Sequence, residues 1–417
     1  MKLLIVTQYF WPESFRVNDM TSGLREMGHE ITVLTGMPNY PGGRLFPGYG
    51  WFKPGAEEHH GVRIIRVPQV TRGRSRGLRL AANYLSFALA ACILGPLRCR
   101  DRFDVVLIYE PSPVTVGLPG LLMARLNKAP ALLWIQDLWP DTLEAMGFGP
   151  RSLVYHLAAL LSGFIHRRCD RLLVQSPGFG PRLQARGIPA SRISWLPNWA
   201  ESFYRPVAPD SCVDNPLAGI PGFRVLFAGN IGSAQSFETI IDAAQRLREV
   251  PDLHWVILGD GLMRDRVAAE TRRLGLADRF HLLGQRPAEE MPACFAHADI
   301  LLVTLRADPV FSLTIPSKIQ SYLACARPMV ASLDGEGAAV VRESGAGPVC
   351  NAENGSALAE AVMSVYRLSP EQRMACGEKG RQYYEQHFER SLLLGRLNDW
   401  INELGNKRQD AHTDHRR

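Results

Sequence analysis

The sequence predicts two α/β domains, each a doubly wound parallel sheet, facing each other across a central cleft. Three observations carry this. Near-continuous apolar runs of strand length alternate with longer amphipathic stretches, as in sheets covered on both faces. The alternation occurs twice. Between the two series lies an aperiodic, proline-rich segment, residues 197–222, that reads as a linker. A chain of 417 residues is also too long for one domain of ~150 residues.

The first series reads KLLIVTQ, EITVLTG, VRIIRVP, DVVLIYE, ALLWIQD, RLLVQS and ISWLPN. A helical pattern over residues 17–28 separates the first two and stops at Gly28, as a C-cap would. The second series reads RVLFAGN, LHWVILGDG, FHLLG, DILLVTL and RPMVAS. These runs place the domains at 1–200 and 201–385. A last helical stretch, 386–404, is expected to pack back on the first domain. The polar residues 405–417 offer almost nothing to bury and are expected to be disordered.

Composition narrows the class. With 46% hydrophobic and 21% charged residues, the chain is an ordinary globular protein. Its eight cysteines form no C-x-x-C pair, and His59-His60 lacks metal-ligand spacing, so reduced thiols, a cytosolic setting and no metal site are expected. The opening MKLLIVTQYFWPES lacks a small-residue cleavage site and reads as a first strand, not a signal peptide.

The net charge of +6 is modest, but its placement is uneven. Seven arginines and one acid, Asp101, fall within segment 72–102, around the apolar run 80–97. Nucleic-acid binding would interleave such arginines with exposed aromatics; bracketing an apolar run suits a membrane surface better. Asn83, Ser86, Gly95 and Pro96 interrupt the run, which falls short of the ~20 residues of a span. Two readings stand. One is an interfacial helix held to headgroups by Arg72, Arg74, Arg76, Arg79, Arg98 and Arg100; the other is a buried core helix.

Two turns suit an anion. In FAGNIGSAQS, Gly229, Asn230, Gly232 and Gln235 lie between an apolar run and a helical pattern, where small residues let backbone N–H groups approach a phosphate. In DPVFSLTIPSKIQSYLACARP, Pro316 is placed as the first helical residue, with Ser317 and Lys318 in the first turn. A lysine there opposes the helix dipole, which makes sense if an anion sits beside it. The first domain has Tyr9, Phe10, Trp11 and Pro12 after its first strand, not G-x-G-x-x-G, which counts against a dehydrogenase. Glu110 ends DVVLIYE and is a further polar candidate.

Together TQYFWPESFRVNDM, WIQDLWPDTLEAMG, GNIGSAQ and FSLTIPSKIQSYLACARP resemble the retaining GT-B glycosyltransferases of family 4. Within that family they resemble bacterial N-acetyl-L-fucosamine and colanic-acid-type transferases. The resemblance implies that residues 229–235 meet a donor diphosphate and that Lys318 steadies the leaving phosphate, with Thr314, Pro316, Ser317 and Ser321 around it. It puts Gly284, Gln285 and Arg286 near the nucleotide base. It also puts Asp137 beside the sugar or acceptor, and Glu13, Ser14 and Arg16 in a loop that meets phosphate.

The implied reaction moves a deoxy- or amino-sugar from a UDP- or GDP-sugar to a polyprenyl-diphosphate-linked saccharide at the inner face of the plasma membrane. No cofactor, metal or nucleic acid is expected. Departures from the family pattern are clear. The paired glutamates of relatives fall on Leu313 and Ser321, and Asn230 and Gln235 replace Arg and Lys of the glycine loop. The rival readings are a sugar-nucleotide epimerase of the same fold, which needs no membrane-seeking segment, and a non-catalytic sugar-nucleotide-binding protein.

Overall fold

The computed structural model describes residues 1–50, 55–73, 77–209 and 215–414, with side chains to residue 407. The chain divides into two compact units: Met1–Pro197 with Leu393–Arg417, and Asn198–Leu392.

The first unit is built on eight strands. β1 (Lys2–Val6) leads through α1 (Arg16–Glu26) to β2 (Glu30–Gly36), and β3 (Ala56–His59) pairs antiparallel with β4 (Val62–Val67). The chain then crosses by α2 (Leu78–Arg98) to β5 (Val105–Glu110) and by α3 (Gly117–Asn127) to β6 (Ala131–Ile135). The short α4 (Asp141–Ala145) and α5 (Leu153–Arg168) lead to β7 (Arg171–Val174), and α6 (Phe179–Ala185) to β8 (Ile193–Trp195). The order is β3-β4-β2-β1-β5-β6-β7-β8, and every pair but β3–β4 is parallel. β5 and β6 are buried along their full length because helices cover both faces, which is why they read as continuous apolar runs. Strand order reverses between β1 and β5, so their C-terminal ends mark a topological switch point.

The second unit has six parallel strands. They are β9 (Phe223–Ala228), β10 (Leu253–Leu258), β11 (Phe280–Gly284), β12 (Ile300–Thr304), β13 (Met329–Ser332) and β14 (Val349–Cys350), ordered β11-β10-β9-β12-β13-β14. The connecting helices are α7 (Phe237–Arg246), α8 (Arg264–Arg273), α9 (Met291–Ala296), α10 (Ser317–Ala324) and α11 (Gly335–Ser344). Then come α12 (Gly355–Tyr366) and α13 (Pro370–His387), the latter opened by a capping box of Ser369 and Gln372. Phe227, Phe237, Trp255 and Leu302 fill one side of this sheet. Its switch point lies between β9 and β12.

The final helix, α14 (Arg390–Asp414), belongs to the first unit from Leu393 onward. Asn398 bonds His29 at 2.7 Å, and Gly405 lies against Met1 and Val105. The tail expected to be disordered from 405 is therefore helical to Asp414. Lys407 pairs with Glu403 one turn earlier at 2.8 Å, and no proline follows to stop the helix.

The run 80–97 lies in α2 with one face turned to the unit and the other outward. α2 has the length and composition of a spanning helix, but one of its faces is built into the unit. That inner face holds Phe87, Ala88, Ala91 and the polar Asn83, all buried, whereas Leu85, Leu89 and Ile93 are exposed. Asn83 accepts from Gln8 Nε2 at 2.9 Å and donates to the Val70 carbonyl at 2.6 Å. The residues that interrupt the run are thus its structural contacts. The arginines divide as well. Arg72 sits over the Tyr40 ring, at 5.2 Å from its centroid, and hydrogen-bonds Tyr9; Arg98 donates to the Arg66 carbonyl at 2.5 Å. Both turn to the protein, where aromatic rings and carbonyls give a guanidinium better partners than water. Arg79 and Arg100 stay exposed, and Arg74 and Arg76 lie outside the described residues.

The two faces of this helix make a contrast testable by urea unfolding. Asn83→Ala, which strands buried polar partners, should lower stability by about 2 kcal/mol. Leu89→Gln on the outer face should change it by no more than about 0.5 kcal/mol.

Candidate active site

In the second unit, both anion-friendly turns emerge at the switch point. The chain leaves β9 into Gly229, at φ +138°, with Gly229 and Asn230 exposed. A Cβ on the neighbouring Gly259 would fall 1.8 Å from the Gly229 carbonyl, so only glycine lets the β9 and β10 ends approach this closely. Gln235 sits in a single 3₁₀ turn, Ser233–Gln235, just before α7. Its carbonyl accepts from Thr304 Oγ1 at 2.5 Å, which bolts the turn to the end of β12.

Lys318 reaches this turn from α10. Its ammonium lies 3.7 Å from the Phe227 ring centroid and donates to Gln235 Oε1 at 2.9 Å. A Cβ on Gly229 would come within 3.3 Å of Nζ. Its neighbours are a ring, an amide oxygen and backbone, and burial pushes its pKa down to about 7. No side chain caps the N-terminus of α7 or α10, and the first turn of α10 holds no acid. The structure therefore sets a cation and two helix starts around the glycine turn, an arrangement that suits a diphosphate.

The other donor-side candidates spread further. Pro316 precedes α10 as its N-cap instead of opening it, so Ser317 is its first residue and Lys318 its second. Thr314 bonds within its own turn, to the Phe311 carbonyl at 2.9 Å. Ser321 is buried within α10. Gly284 ends β11 at φ +79°, with Gln285 and Arg286 exposed beyond it; Arg286 stands 3.6 Å from Glu290.

In the first unit, β5 and β6 pair in parallel with Glu110 opposite Ile135, so Glu110 and Asp137 emerge side by side. Glu110 is fully buried with no hydrogen bond to either carboxyl oxygen among the described residues. Burial raises its pKa well above the usual carboxylate range, and the charge of Asp137 raises it further. Burial also pushes Asp137 up to about 7, opposed by a hydrogen bond from Ser112. Two adjacent carboxyls in such surroundings do not both ionise; Glu110 keeps the proton. Ser112 in turn is held by Trp139 Nε1 at 3.2 Å and bonds Tyr84. Asp141 opens α4 and ion-pairs with Arg186.

Glu13 is buried, and its carboxyl accepts from the Asn39 and Tyr40 N–H groups at 2.8 and 2.7 Å and from Phe10 N–H at 3.2 Å. It ties two strand-end loops together and does not face outward. Ser14 is exposed, and Arg16 is the first residue of α1. The sequence did not single out Tyr84 or Ser112, and it assigned Arg72 to lipid. Yet Arg72, Tyr9, Tyr84, Ser112 and Asp137 form one connected cluster. No local motif marks it, because its members come from five separate segments.

Comparison with known proteins agrees with this layout. A family model described as "Glycosyl transferase 4-like domain" matches residues 14–199, and one described as "Glycosyl transferases group 1" matches 222–367. An Escherichia coli (strain K12) protein named as a colanic acid biosynthesis glycosyl transferase, WcaI, is 27% identical over 341 residues, 78% of this chain and 81% of that protein. Among solved structures, Anabaena HepE in complex with UDP superposes with a TM-score of 0.71 at 16% identity, covering 97% of this chain and 100% of HepE. Sucrose-phosphate synthase from Thermosynechococcus elongatus gives 0.77 at 16% identity, covering 97% and 98%. The fold is that of the GT-B glycosyltransferases. With the two family models following one another along its two units, the chain belongs to the group 1 and group 4-like glycosyltransferases.

Proposed function

We propose that this glycosyltransferase moves a deoxy- or amino-sugar, such as N-acetyl-L-fucosamine, from a UDP- or GDP-sugar to a polyprenyl-diphosphate-linked saccharide. The product would serve O-antigen, capsule or exopolysaccharide synthesis. The observation that carries the reading is the Lys318 ammonium, held over the glycine turn by an amide and a ring, with no carboxylate among its bonded partners. A nucleotide diphosphate gains negative charge as its bond to the sugar breaks, and a desolvated cation beside open helix N-termini stabilises that charge most. The polysaccharide context is supported by the likeness to WcaI, and a uridine nucleotide by the UDP in HepE.

The sugar develops oxocarbenium character during transfer, and retention of configuration is the outcome we assign. Asp137 in its ionised form serves as the polar group beside the sugar, taking the acceptor proton or balancing positive charge at the anomeric carbon. Glu110 keeps its own proton and thereby leaves the negative charge on Asp137. Arg72, with Arg16 and Ser14, supplies contacts for the acceptor's diphosphate. A lipid-linked acceptor places the enzyme at the inner face of the plasma membrane as a peripheral protein.

Lys318→Ala should slow turnover at least tenfold, because losing a charge-assisted contact of ~1.5–3 kcal/mol costs a factor of ten per ~1.4 kcal/mol. A folded variant with unchanged kcat discards the leaving-group role. Since the leaving charge is met by Lys318 and helix N-termini, activity should also persist in EDTA, assayed by release of nucleoside diphosphate. Donor incubated alone should remain unconverted; its epimerisation marks the epimerase reading instead.

The pH profile has a definite sign. In the free enzyme Asp137 must lose a proton and Lys318 must keep one, and each titrates at about 7. The kcat/KM for donor should therefore rise and then fall around a narrow optimum near pH 7. Lys318→Arg, whose charge persists to high pH, should flatten only the alkaline limb. A profile flat from about pH 6 to 8 in the native enzyme contradicts the assignment.

A further inference from the structure

α2 is not the only helix of the first unit that faces outward with its apolar side. Successive right-handed crossovers put α2, α3 and α5 on one side of the sheet, with α2 against α3 and α3 against α5. On α5, Leu153, Leu157 and Leu160 are 57–73% exposed, as much as Leu85, Leu89 and Ile93 of α2 at 56–63%. The inner face of α5 carries polar Ser162 and His166, both buried beside Ile165. Both helices thus carry buried polar groups on the inner face and still turn a row of large aliphatic side chains outward. A helix that meets only water has no reason to be built this way.

Charge says what covers the face. None of the three helices contains Asp or Glu. All three run the same way between parallel strands, so their C-terminal ends share one edge. There stand Arg100 and Arg102 after α2, Lys128 after α3, and Arg167 and Arg168 at the end of α5, all exposed. At the opposite end stand exposed Arg79 and Arg151. A two-fold contact with a second copy would set arginine against arginine in either sense; the acids of the same edge, Asp101 and Asp170, are engaged within the unit by Arg63 and by the Ala131 N–H. Anionic phosphate headgroups match both ends at once.

We propose that α5, together with α2 and the end of α3, forms one docking face for an anionic lipid bilayer, its leucines entering the acyl boundary and its basic rims meeting headgroup phosphates. The proposal rests on the peripheral-membrane reading above and widens it from one arginine-bracketed segment to a three-helix face. Its readout needs neither donor nor acceptor.

The test is co-sedimentation of the full chain with acceptor-free vesicles of phosphatidylglycerol and phosphatidylethanolamine, beside vesicles of neutral phosphatidylcholine. Wild type should bind the anionic vesicles, and less so at high salt. Leu157→Gln with Leu160→Gln should lower the bound-to-free ratio at least tenfold, with an unaltered melting temperature because both positions are exposed. Arg167→Gln with Arg168→Gln should remove most of the preference for anionic lipid. If wild type binds and the Leu157/Leu160 variant binds equally, the face does not include α5, while the membrane reading through α2 survives. If wild type binds neither vesicle, both readings fall. If it forms a dimer by light scattering that the leucine variant loses, without lipid binding, the face belongs to a second copy and the proposal is overturned.

Discussion

Much of the second unit is arranged around one unfavourable placement, an ammonium drawn out of water without a carboxylate to receive it. Lys318 gains only a ring face and an amide oxygen, so desolvation dominates and its proton is loosely held. The surroundings make that placement possible. Gly229 leaves room for the ammonium, Gly259 lets the β9 and β10 ends close up, and Thr304 fixes the turn that presents Gln235. A carboxylate partner would stabilise the fold but neutralise the site. An anionic ligand bound there would complete an ion pair and restore the proton affinity that burial removes.

The first unit holds the complementary case. Glu110 and Asp137 are brought together by adjacent parallel strands, and only one can carry charge. Ser112, itself fixed by Trp139, decides which one by donating to Asp137. Trp139 is thus two hydrogen bonds away from the ionisable group. Structural residues and chemical residues here are the same chain of contacts.

How much of this was legible depends on whether a residue's partner is near in sequence. The parallel strands were, because burial on both faces leaves continuous apolar runs, and so was the glycine turn running straight from β9 towards α7. The four-residue β3 was missed because AEEH carries no apolar pattern and forms only as the edge partner of β4. The segment around α2 was misread in part because hydrophobicity alone does not say which side faces the sheet; Asn83 and Ser86 looked like interruptions, whereas they bond β4's following loop at Val70. Arg72 was assigned to lipid for the same reason, its aromatic neighbours lying tens of residues away. The exposed face of α5 left no signal at all, since LVYHLAALLSGFIHRR reads as any buried helix.

The return of α14 makes the first unit discontinuous, with all 195 residues from Asn198 to Leu392 inserted into it. On a ribosome adding about 5–20 residues per second, roughly 10–40 s separate the end of the eight-stranded sheet from the arrival of the helix that covers Met1 and Val105. During that interval Met1 and Val105 lack the helix that covers them, and the second unit can fold in full while the first still waits for its last element. The chain is thus synthesised in the order most exposed to intermolecular contact, and truncation at the C-terminal end uncovers the sheet where the chain begins.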